Sequence, residues 1–404
     1  MESKTISYHD FIFPFSFEDE FSPTNNWLVK NDKDYTTEKY FTSPARKLIY
    51  EQKHYLFIKE NLKYHIQSKK KKFILNVKNI RLNIYEKTKV GILIFELENT
   101  KYARINDINK INEQVRRISL PFLGAQESDD LVAQKLILEG EDFFIEEDFK
   151  ENKDVKYISK TITEIIGLLK IKPIMDDRMF VHCLYKNKQL IRKSKKRTDK
   201  NNYDYLMKNS LQQDLYKLFY IENNLTCQNE DLIKDILRRT TYDRWIECGT
   251  LYSLTHHSFV CLTTEDAPEV SVVRPFLTVY LEMSIMAILQ RASILYLSKE
   301  AASHSDKKNR EIIKLNKNNI EIQNEFVLSE VTLQEQGIEI FNMLRKELFI
   351  EGSNKELTEQ LSLLNQKVER EVDKVENCVL SVIAIFGGAW ALIELGRFIL
   401  GLIN

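Results

Sequence analysis

The chain has 404 residues, of which 29% are charged and 43% hydrophobic, and its 59 basic side chains balance 59 acidic ones. This composition is typical of a folded chain and excludes a disordered one. Without net charge, the chain lacks the basic field on which non-specific nucleic-acid binding depends, so we expect no nucleic acid among its partners. Its 11 glycines and 7 prolines are too few turn residues for an all-β protein, and we expect an α+β fold.

The N-terminal stretch, Met1–Phe17, mixes charged and aromatic side chains and has no apolar core. We therefore expect no signal peptide and a cytoplasmic location for most of the chain. The five cysteines, an odd number, contain no CxxC pair. This pattern predicts reduced thiols, no disulfide framework and no metal site.

Three β-branched and aromatic runs predict strands at Phe73–Val77, Arg81–Tyr85 and Gly91–Leu97, with a turn in the sequence EKTKVG before the last. The apolar residues that follow recur at helical spacing: Ile105, Ile108, Ile111, Val115 and Ile118. We expect an amphipathic helix here, with this stripe facing the core.

The middle of the chain mixes helices and strands. We expect an amphipathic helix near Ile158–Leu169, a strand at Met179–Tyr185, and over Thr240–Thr263 a helix that runs to two adjacent histidines and is followed by a strand. Between them lies Lys186–Lys200, which contains eight Lys or Arg and one Asp. We interpret this segment as a solvated hairpin loop, with contact to a phosphorylated ligand or anionic lipid as the alternative.

The last third of the chain is predicted to be helical. One helix is expected over Pro275–Ala302, and a second from Arg310 to Ile350, interrupted at Gly337 and ended by Glu351–Asn354. Beyond this break, six apolar residues repeat at a spacing close to 3.5: Leu357, Leu361, Leu364, Val368, Val372 and Val375. The repeat favours a helical stalk, the alternative being an amphipathic helix that packs on its own domain.

The C-terminal segment is a candidate membrane helix. Cys378–Ile393 carries no charge over 16 residues, and Cys378–Ile403, at about 1.5 Å per residue, is long enough for a hydrocarbon core of about 30 Å. Glu394 and Arg397 lie three residues apart and can pair on one face. We expect a tail anchor in the cell inner membrane with most of the chain cytoplasmic, the alternative being a buried core helix.

These patterns predict three parts: a cytoplasmic α/β sensor domain (1–309), a helical stalk (310–376) and a transmembrane helix (377–404). Four small or polar residues of the last part share one helical face: Asn377, Ser381, Ala384 and Gly388. Such a stripe meets something other than lipid, either a packed helix or, in a homo-oligomer, the lumen of a pore. One helix per chain cannot enclose water alone, so a pore requires several copies.

No familiar catalytic motif is present. The sequence contains no phosphate-cradling glycine loop, no HExxH, no GxSxG and no recognised cysteine nucleophile signature, so we expect neither an enzyme nor a cofactor. His256 and His257 would face opposite sides of a strand and cannot share a metal there. A nucleotide-degrading enzyme that uses Asp176 and Asp177 is the remaining enzymatic alternative.

Three short segments offer groups for an anionic, purine-containing ligand. Arg116 and Arg117 provide two guanidinium forks, Asp177 and Arg178 a mixed pair, and Arg244 with Trp245 a charge beside a stacking surface: all six are candidate ligand-binding residues. Structural ion pairing is the alternative for each segment.

Three sequence blocks resemble a bacterial group of CorA-like membrane proteins. They are NIYEKTKVGILIFELEN followed by Ile111, Asn112, Arg116, Arg117 and Ile118; DDRMF with YDRW; and QRASILYLSKE with EVTLQEQGIEIF. The blocks cover most of Val77–Leu395. The resemblance implies a cytoplasmic α/β domain, a long stalk helix and a membrane pore made by several subunits, five of them if the assembly is like that of CorA transporters.

The resemblance also implies a function. CorA-like proteins of this kind are similar to effectors of type III CRISPR antiviral defence, in which a nucleotide second messenger made from S-adenosylmethionine and ATP acts on the membrane protein. Magnesium transporters of the CorA type have a second membrane helix and a Gly-Met-Asn motif, and this sequence has neither. We therefore expect a ligand-gated channel or pore, with a divalent cation as a candidate permeant ion. The alternatives are a receptor or scaffold without a pore, and a divalent cation transporter.

Overall fold

The structure is a computed structural model that describes residues 4–30, 35–120, 133–149, 157–167, 170–195, 209–222, 227–303 and 309–403. The chain divides into two compact units. The first comprises Met1–Tyr296 with Ile322–Ser353, and the second comprises Leu297–Glu321 with Asn354–Asn404.

The regular elements of the described residues are fifteen strands and eleven α-helices. The strands are β1 (Ser7–Phe17), β2 (Trp27–Val29), β3 (Lys53–Phe57), β4 (Lys63–Gln67), β5 (Lys72–Tyr85), β6 (Val90–Asn99), β7 (Ser119–Leu120), β8 (Lys135–Gly140), β9 (Phe143–Asp148), β10 (Tyr157–Ile158), β11 (Ile171–Pro173), β12 (Phe180–Lys186), β13 (Thr241–Tyr242), β14 (Leu251–Leu254) and β15 (Ser258–Thr263). The helices are α1 (Tyr35–Tyr40), α2 (Ser43–Tyr50), α3 (Ile105–Val115), α4 (Lys160–Ile166), α5 (Lys188–Lys195), α6 (Asn209–Tyr220), α7 (Glu230–Thr240), α8 (Leu281–Ser303), α9 (Asn309–Phe326), α10 (Glu335–Glu347) and α11 (Ile350–Ile403).

One large mixed sheet organises the first unit. Among the described residues it has thirteen strands, with the main order β13-β14-β15-β12-β1-β6-β5-β4-β8-β9. All pairs are antiparallel except β12 with β15, which is parallel. The sheet and the long C-terminal helices confirm the predicted α+β class.

The predicted hairpin is present at the centre of this sheet. Strand β5 joins two of the predicted runs in one strand, with a bulge between Val77 and Asn79. The turn to β6 is closed by a hydrogen bond from the Lys89 amide to the Glu86 carbonyl. Helix α3 follows where its apolar stripe predicted it, and Ile108, Ile111 and Val115 are buried.

The sheet has helices on both faces, as β1 illustrates. Phe11 and Phe13 are fully buried in a core shared with α3 and α6. Asp10 points to the opposite face because successive strand residues alternate. Its strand neighbour His182 contacts Ser284 of α8 on that face, at 3.2 Å.

The helix predicted over Pro275–Ala302 is a core helix. Within the described residues, one helical stretch, Glu269–Ser303, is long and apolar enough to cross a membrane. Of the apolar 18-residue segment that meets this criterion, 67% is buried inside the protein. The stretch begins with π-helical turns at Glu269–Val273 and Phe276–Tyr280, followed by α8. Its apolar composition therefore reflects packing inside the fold.

Two predicted segments differ from the structure. Residues 188–195 of the basic segment form α5 instead of a loop, because Leu190 and Ile191 are buried on one face and the Asn187 side chain caps the helix, accepting from the Leu190 amide at 2.9 Å. The remainder, residues 196–200, lies outside the described residues. The helix predicted after Thr240 is also wrong, since this segment forms β13, a single 3₁₀ turn and the β14–β15 hairpin.

The helix breaks in the last third are displaced from their predicted positions. The chain leaves helix over residues 327–334, and Gly337 lies inside α10. Gly337 permits close packing, because a Cβ there would lie 2.5 Å from the Tyr40 hydroxyl oxygen. Glu351–Asn354 forms the first turns of α11, and the break comes earlier, at Leu348 and Phe349.

The second unit is built from parts of α8, α9 and α11. The buried residues of α9 and α11 in this unit include Ile312, Leu357, Leu361 and Val368. The Asn316 and Asn365 side chains are hydrogen-bonded to each other. Further along the predicted stalk repeat the burial ends, as Val372 and Val375 are exposed.

Candidate functional site

Four of the six predicted ligand-binding residues meet at one end of the sheet. Arg117 and Arg178 form an isolated antiparallel backbone bridge. The Met179 amide donates to the Arg116 carbonyl at 2.5 Å, and the Ile118 amide donates to the Asp177 carbonyl at 3.1 Å. The C-terminal end of α3 is thereby fixed beside the start of β12, and Arg116, Arg117, Asp177 and Arg178 form what we call the arginine cluster.

Arg116 is the buried centre of the arginine cluster, with 1% of its surface exposed. Its Nη2 donates to Glu113 Oε2 at 2.8 Å and to the Ile221 carbonyl at 3.2 Å. Its Nε and Nη1 are buried and have no hydrogen-bond partner among the described residues. Because an unsatisfied buried donor costs free energy, these two groups could bind an additional acceptor.

Glu113 is shared by two guanidinium groups. It lies on α3 and accepts from Arg116 three residues later and from Arg117 four residues later. This spacing places all three side chains on one side of the helix end. Burial lowers the pKa of Arg116, and the charge of Glu113 opposes that effect. One carboxylate therefore compensates two cations here.

Arg178 is held by Asp176 and His257. Its Nη2 lies 2.9 Å from Asp176 Oδ2 and 3.4 Å from His257 Nε2. Burial, reinforced by the charge of Arg178, lowers the pKa of His257 to about 4. Burial opposes ionisation of Asp176, but the hydrogen bond and charge of Arg178 outweigh it and lower the pKa of Asp176. The imidazole is therefore neutral and the carboxylate ionised near pH 7.

Glu222 adds a further carboxyl group near these cations. Burial, followed by the charge of Glu113, raises the pKa of Glu222, while the charge of Arg116 lowers it. The preceding residue, Ile221, has a φ of 57° and is fully buried. This conformation is unusual for a β-branched residue and persists only where the surroundings enforce it. The site thus combines guanidinium and carboxylate groups in a rigid setting.

The other two predicted residues, Arg244 and Trp245, lie together beside α10. The Arg244 guanidinium is 5.5 Å from the Trp245 ring centre and donates to Glu339 at 3.0 Å and to Glu335 at 3.2 Å. Trp245 Nε1 donates to Gln336 Oε1 at 2.9 Å. None of these contacts joins the pair to the arginine cluster. Arg244 and Trp245 thus stabilise the first turns of α10, and a ligand here would compete with the α10 side chains that they bind.

The predicted stripe on α11 lies on exposed helix. Asn377, Ser381, Ala384 and Gly388 are all exposed. The Ser381 hydroxyl donates to the Asn377 carbonyl at 2.8 Å. Gly388 has open space beside it, since no described atom outside the adjoining backbone of its own helix lies within 4 Å of an added Cβ.

A buried Cys-His-Asn constellation occurs elsewhere in the first unit. Cys183 Sγ lies 3.7 Å from His9 Nδ1, which is 2.7 Å from Asn112 Oδ1. Burial raises the pKa of Cys183 to about 12 and lowers that of His9 to about 4. A thiol that stays protonated and has no exposed surface is not a nucleophile, so this constellation is structural.

In the described part of the chain, no group of three or more His, Cys, Asp or Glu side chains is placed to hold a metal ion.

The sequence prediction missed Glu113, Glu222 and His257 as members of the site. The spacing of Glu113 before two arginines was a usable signal, whereas Glu222 and His257 join the site only through the tertiary fold.

Comparison with known proteins adds no relative: no family model, no curated protein and no solved structure matches the chain.

Proposed function

We propose that the chain is a membrane-anchored effector whose folded unit binds an anionic nucleotide and whose terminal helices associate into an ion-conducting pore. The observation that carries the anchoring is the apolar surface of α11. Its large exposed apolar residues between 379 and 395 are Val379, Leu380, Val382, Ile383, Ile385, Trp390, Ile393 and Leu395.

These side chains occupy all sides of the helix. At about 100° per residue, positions 379, 380, 382, 385 and 395 point in widely separated directions. A helix that is apolar all round is stable only inside a protein core or a bilayer. Leaving each of these side chains in water would forgo about 1.5 to 3 kcal/mol of burial free energy. Lipid, or neighbouring copies within lipid, is the environment that suits this segment.

The arginine cluster supports the ligand. Arg116 has two buried donors that find no partner in the part of the chain that the structure describes, and charge-assisted bonds to phosphate suit guanidinium groups best. The carboxyl groups of Glu113, Asp176 and Glu222 lie beside the arginines of the cluster, so a ligand that carries both signs of charge fits this site better than a simple polyanion. A conjugate of S-adenosylmethionine and AMP has a phosphate, an ammonium and a sulfonium group, and the sequence resemblance to CorA-like CRISPR effectors points to the same ligand.

The full proposal is a homo-oligomeric, ligand-gated channel of the cell inner membrane in antiviral defence. The stripe of Asn377, Ser381, Ala384 and Gly388 would face the central axis. A receptor or scaffold without a pore is the second candidate, favoured by the Ser381 hydroxyl, which already donates to its own helix and so offers less to a hydrated lumen. A divalent cation transporter is the third candidate, and it shares the anchoring.

Removing Cys378–Asn404 is expected to release the protein from membranes, because the apolar surface of α11 is lost while the buried Glu269–Ser303 helix stays inside the fold. The measurement is the fraction of protein that sediments with membranes after an alkaline wash, with circular dichroism of the released protein as the check on folding. A truncated, folded protein that still sediments would contradict anchoring by this segment.

A further inference from the structure

The joint between α10 and α11 contains Phe349, an exposed residue in a strained backbone conformation. Phe349 has a φ of 54°, a value rarely adopted by bulky residues, and 62% of its surface is exposed. Its neighbours Leu348 and Ile350 are fully buried. Two anchored residues thus flank a strained one, at the point where the chain enters the helix that continues to residue 403.

His256 holds this joint from the β14–β15 hairpin. Its Nδ1 is 2.9 Å from the Glu347 carbonyl oxygen, and its ring centre is 5.5 Å from that of Phe349. Glu347 is the last residue of α10, and Phe349 is the second residue beyond it. The imidazole therefore fixes the backbone on the α10 side of the joint and the side chain at its strained position.

The same hairpin turn contains His257, which contacts Arg178 of the arginine cluster. His257 lies 3.4 Å from both Arg178 and Asp176, and its ring centre is 4.8 Å from that of His256. The two histidines share a peptide bond, and the His257 carbonyl accepts from the Val181 amide at 3.0 Å. A displacement of Arg178 or His257 would move His256 with it.

We propose that the His256–Phe349 contact transmits the state of the arginine cluster to α11, so that ligand binding at Arg116, Arg117 and Arg178 changes the conformation of the joint. This inference specifies the regulation of the site and rests on the proposed function for its consequence at the membrane. Every residue of the pathway, from Arg116 to Phe349, lies in the first compact unit. Closely packed groups with a strained residue among them have discrete alternative arrangements, which a ligand can select.

The first test needs neither ligand nor conductance. In the full chain in detergent, Arg178→Ala removes one of the two cluster-side contacts of His257, the other being Asp176. We expect the amides of Phe349 and Ser353 to exchange hydrogen at least tenfold faster in this variant. These amides are bonded to the carbonyls of Lys346 and Phe349 at 3.0 and 3.1 Å, respectively. The matched control is Lys135→Ala, which removes a cation of similar exposure, paired with Glu146, from the distant β8.

Unchanged exchange at the joint in Arg178→Ala would overturn the inference, as would an equal increase in Lys135→Ala. Exchange of the β6 amides reports whether each variant is folded. An equal rise in hydrogen exchange at the joint and in β6 would also count against a specific pathway.

The second test measures transmission to the membrane. Glycine adopts a positive φ without strain and has no ring to contact His256. Phe349→Gly should therefore change the affinity for the S-adenosylmethionine–AMP conjugate by less than about twofold. The ratio of liposome ion flux with the conjugate to flux without it should fall to about one. Phe144→Gly is the control, since Phe144 is also 62% exposed but lies on β9.

The outcomes separate the two proposals. Ligand-dependent flux in the unaltered protein that persists in Phe349→Gly would overturn the joint as the transmitting element and leave the proposed function intact. Absence of flux in the unaltered protein would refute the proposed channel, and the exchange experiment would then decide the inference alone.

Discussion

Replacing Arg81 with methionine is expected to lower the free energy of unfolding by about 3 to 5 kcal/mol, the range for removal of one partner from a buried ion pair. Arg81 lies on β5 and is nearly buried, with its Nε 2.5 Å from Glu96 and its Nη1 2.7 Å from Glu282 of α8. The substitution removes the cation from two largely buried carboxylates, which are 17% and 14% exposed. Denaturant unfolding of the full chain, followed by tryptophan fluorescence, measures the change.

The charges around Arg81 explain why the effect should be large. Burial alone would lower the pKa of Arg81, but the charges of Glu96 and Glu282 outweigh it and raise that pKa. Burial, followed by the charge of Glu96, raises the pKa of Asp10 well above its usual range. This shift disfavours the ionised form of Asp10, so the charge of Arg81 mainly compensates the carboxylates of Glu96 and Glu282. No spare cation among these groups can replace Arg81.

Two variants make this prediction specific. Lys53→Met removes a cation from an exposed pair with Glu86, at 2.5 Å, and should cost less than about 1 kcal/mol. Adding Glu282→Gln to Arg81→Met should recover part of the lost stability, because one unpaired buried charge is removed. Equal effects of Arg81→Met and Lys53→Met would show that the buried network does not stabilise the sheet against α8.

Gly388→Leu is expected to abolish ion flux through the assembled protein. The substitution places a bulky apolar side chain from every subunit at one level of the proposed pore, which would close it by steric block and dewetting. Gly388 has open space around it in the single chain, so leucine does not disturb the fold of its own helix. Ion release from loaded liposomes in the presence of ligand measures the effect.

The control for the pore is Ile383→Leu. Ile383 is exposed and already apolar, and it lies off the stripe of Asn377, Ser381, Ala384 and Gly388, so its replacement should preserve flux. Both variants should remain oligomeric in detergent. Normal conduction by Gly388→Leu would mean that the stripe is a packing seam, and the receptor or scaffold candidate would then be favoured.

Local sequence patterns were sufficient to predict the elements that depend on residues close together in the chain. The EKTKVG turn and the stripe of α3 are examples, since both depend on residues a few positions apart. The basic segment was predicted as a loop because of its many charges. Two weaker indications of a helix were overlooked: the apolar pair Leu190 and Ile191, which is buried, and the capping residue Asn187. A capping residue followed by an apolar pair is visible in the sequence and indicates the start of a short helix.

In the β14–β15 hairpin, the strand after the two histidines was predicted, whereas β14 and the turn were missed for a different reason. Its turn contains no glycine, proline or asparagine; instead the Thr255 hydroxyl accepts from the His257 and Ser258 amides at 3.2 and 3.0 Å. Threonine turns of this kind are weak sequence signals. The joint at Phe349 was equally hidden, because the glycine and asparagine that follow it suggested a break and the structure places them inside α11.

The candidate site was predictable by residue type and only partly by position. Arginines that suit an anionic ligand were identified from their chemistry, but the fold alone decides that Arg117 meets Arg178 and that Arg244 is engaged by α10. Burial, which gives Arg116 its unsatisfied donors, is a tertiary property. No local pattern indicates it.

Ion flux from proteoliposomes that contain the full chain, with and without the S-adenosylmethionine–AMP conjugate, tests the central claim most directly. We expect flux that requires the conjugate and that falls at least tenfold at subsaturating conjugate in Arg178→Ala, because a charge-assisted contact is worth about 1.5 to 3 kcal/mol. Liposomes that remain sealed with the unaltered protein at saturating conjugate, or that leak equally without it, would contradict a ligand-gated channel.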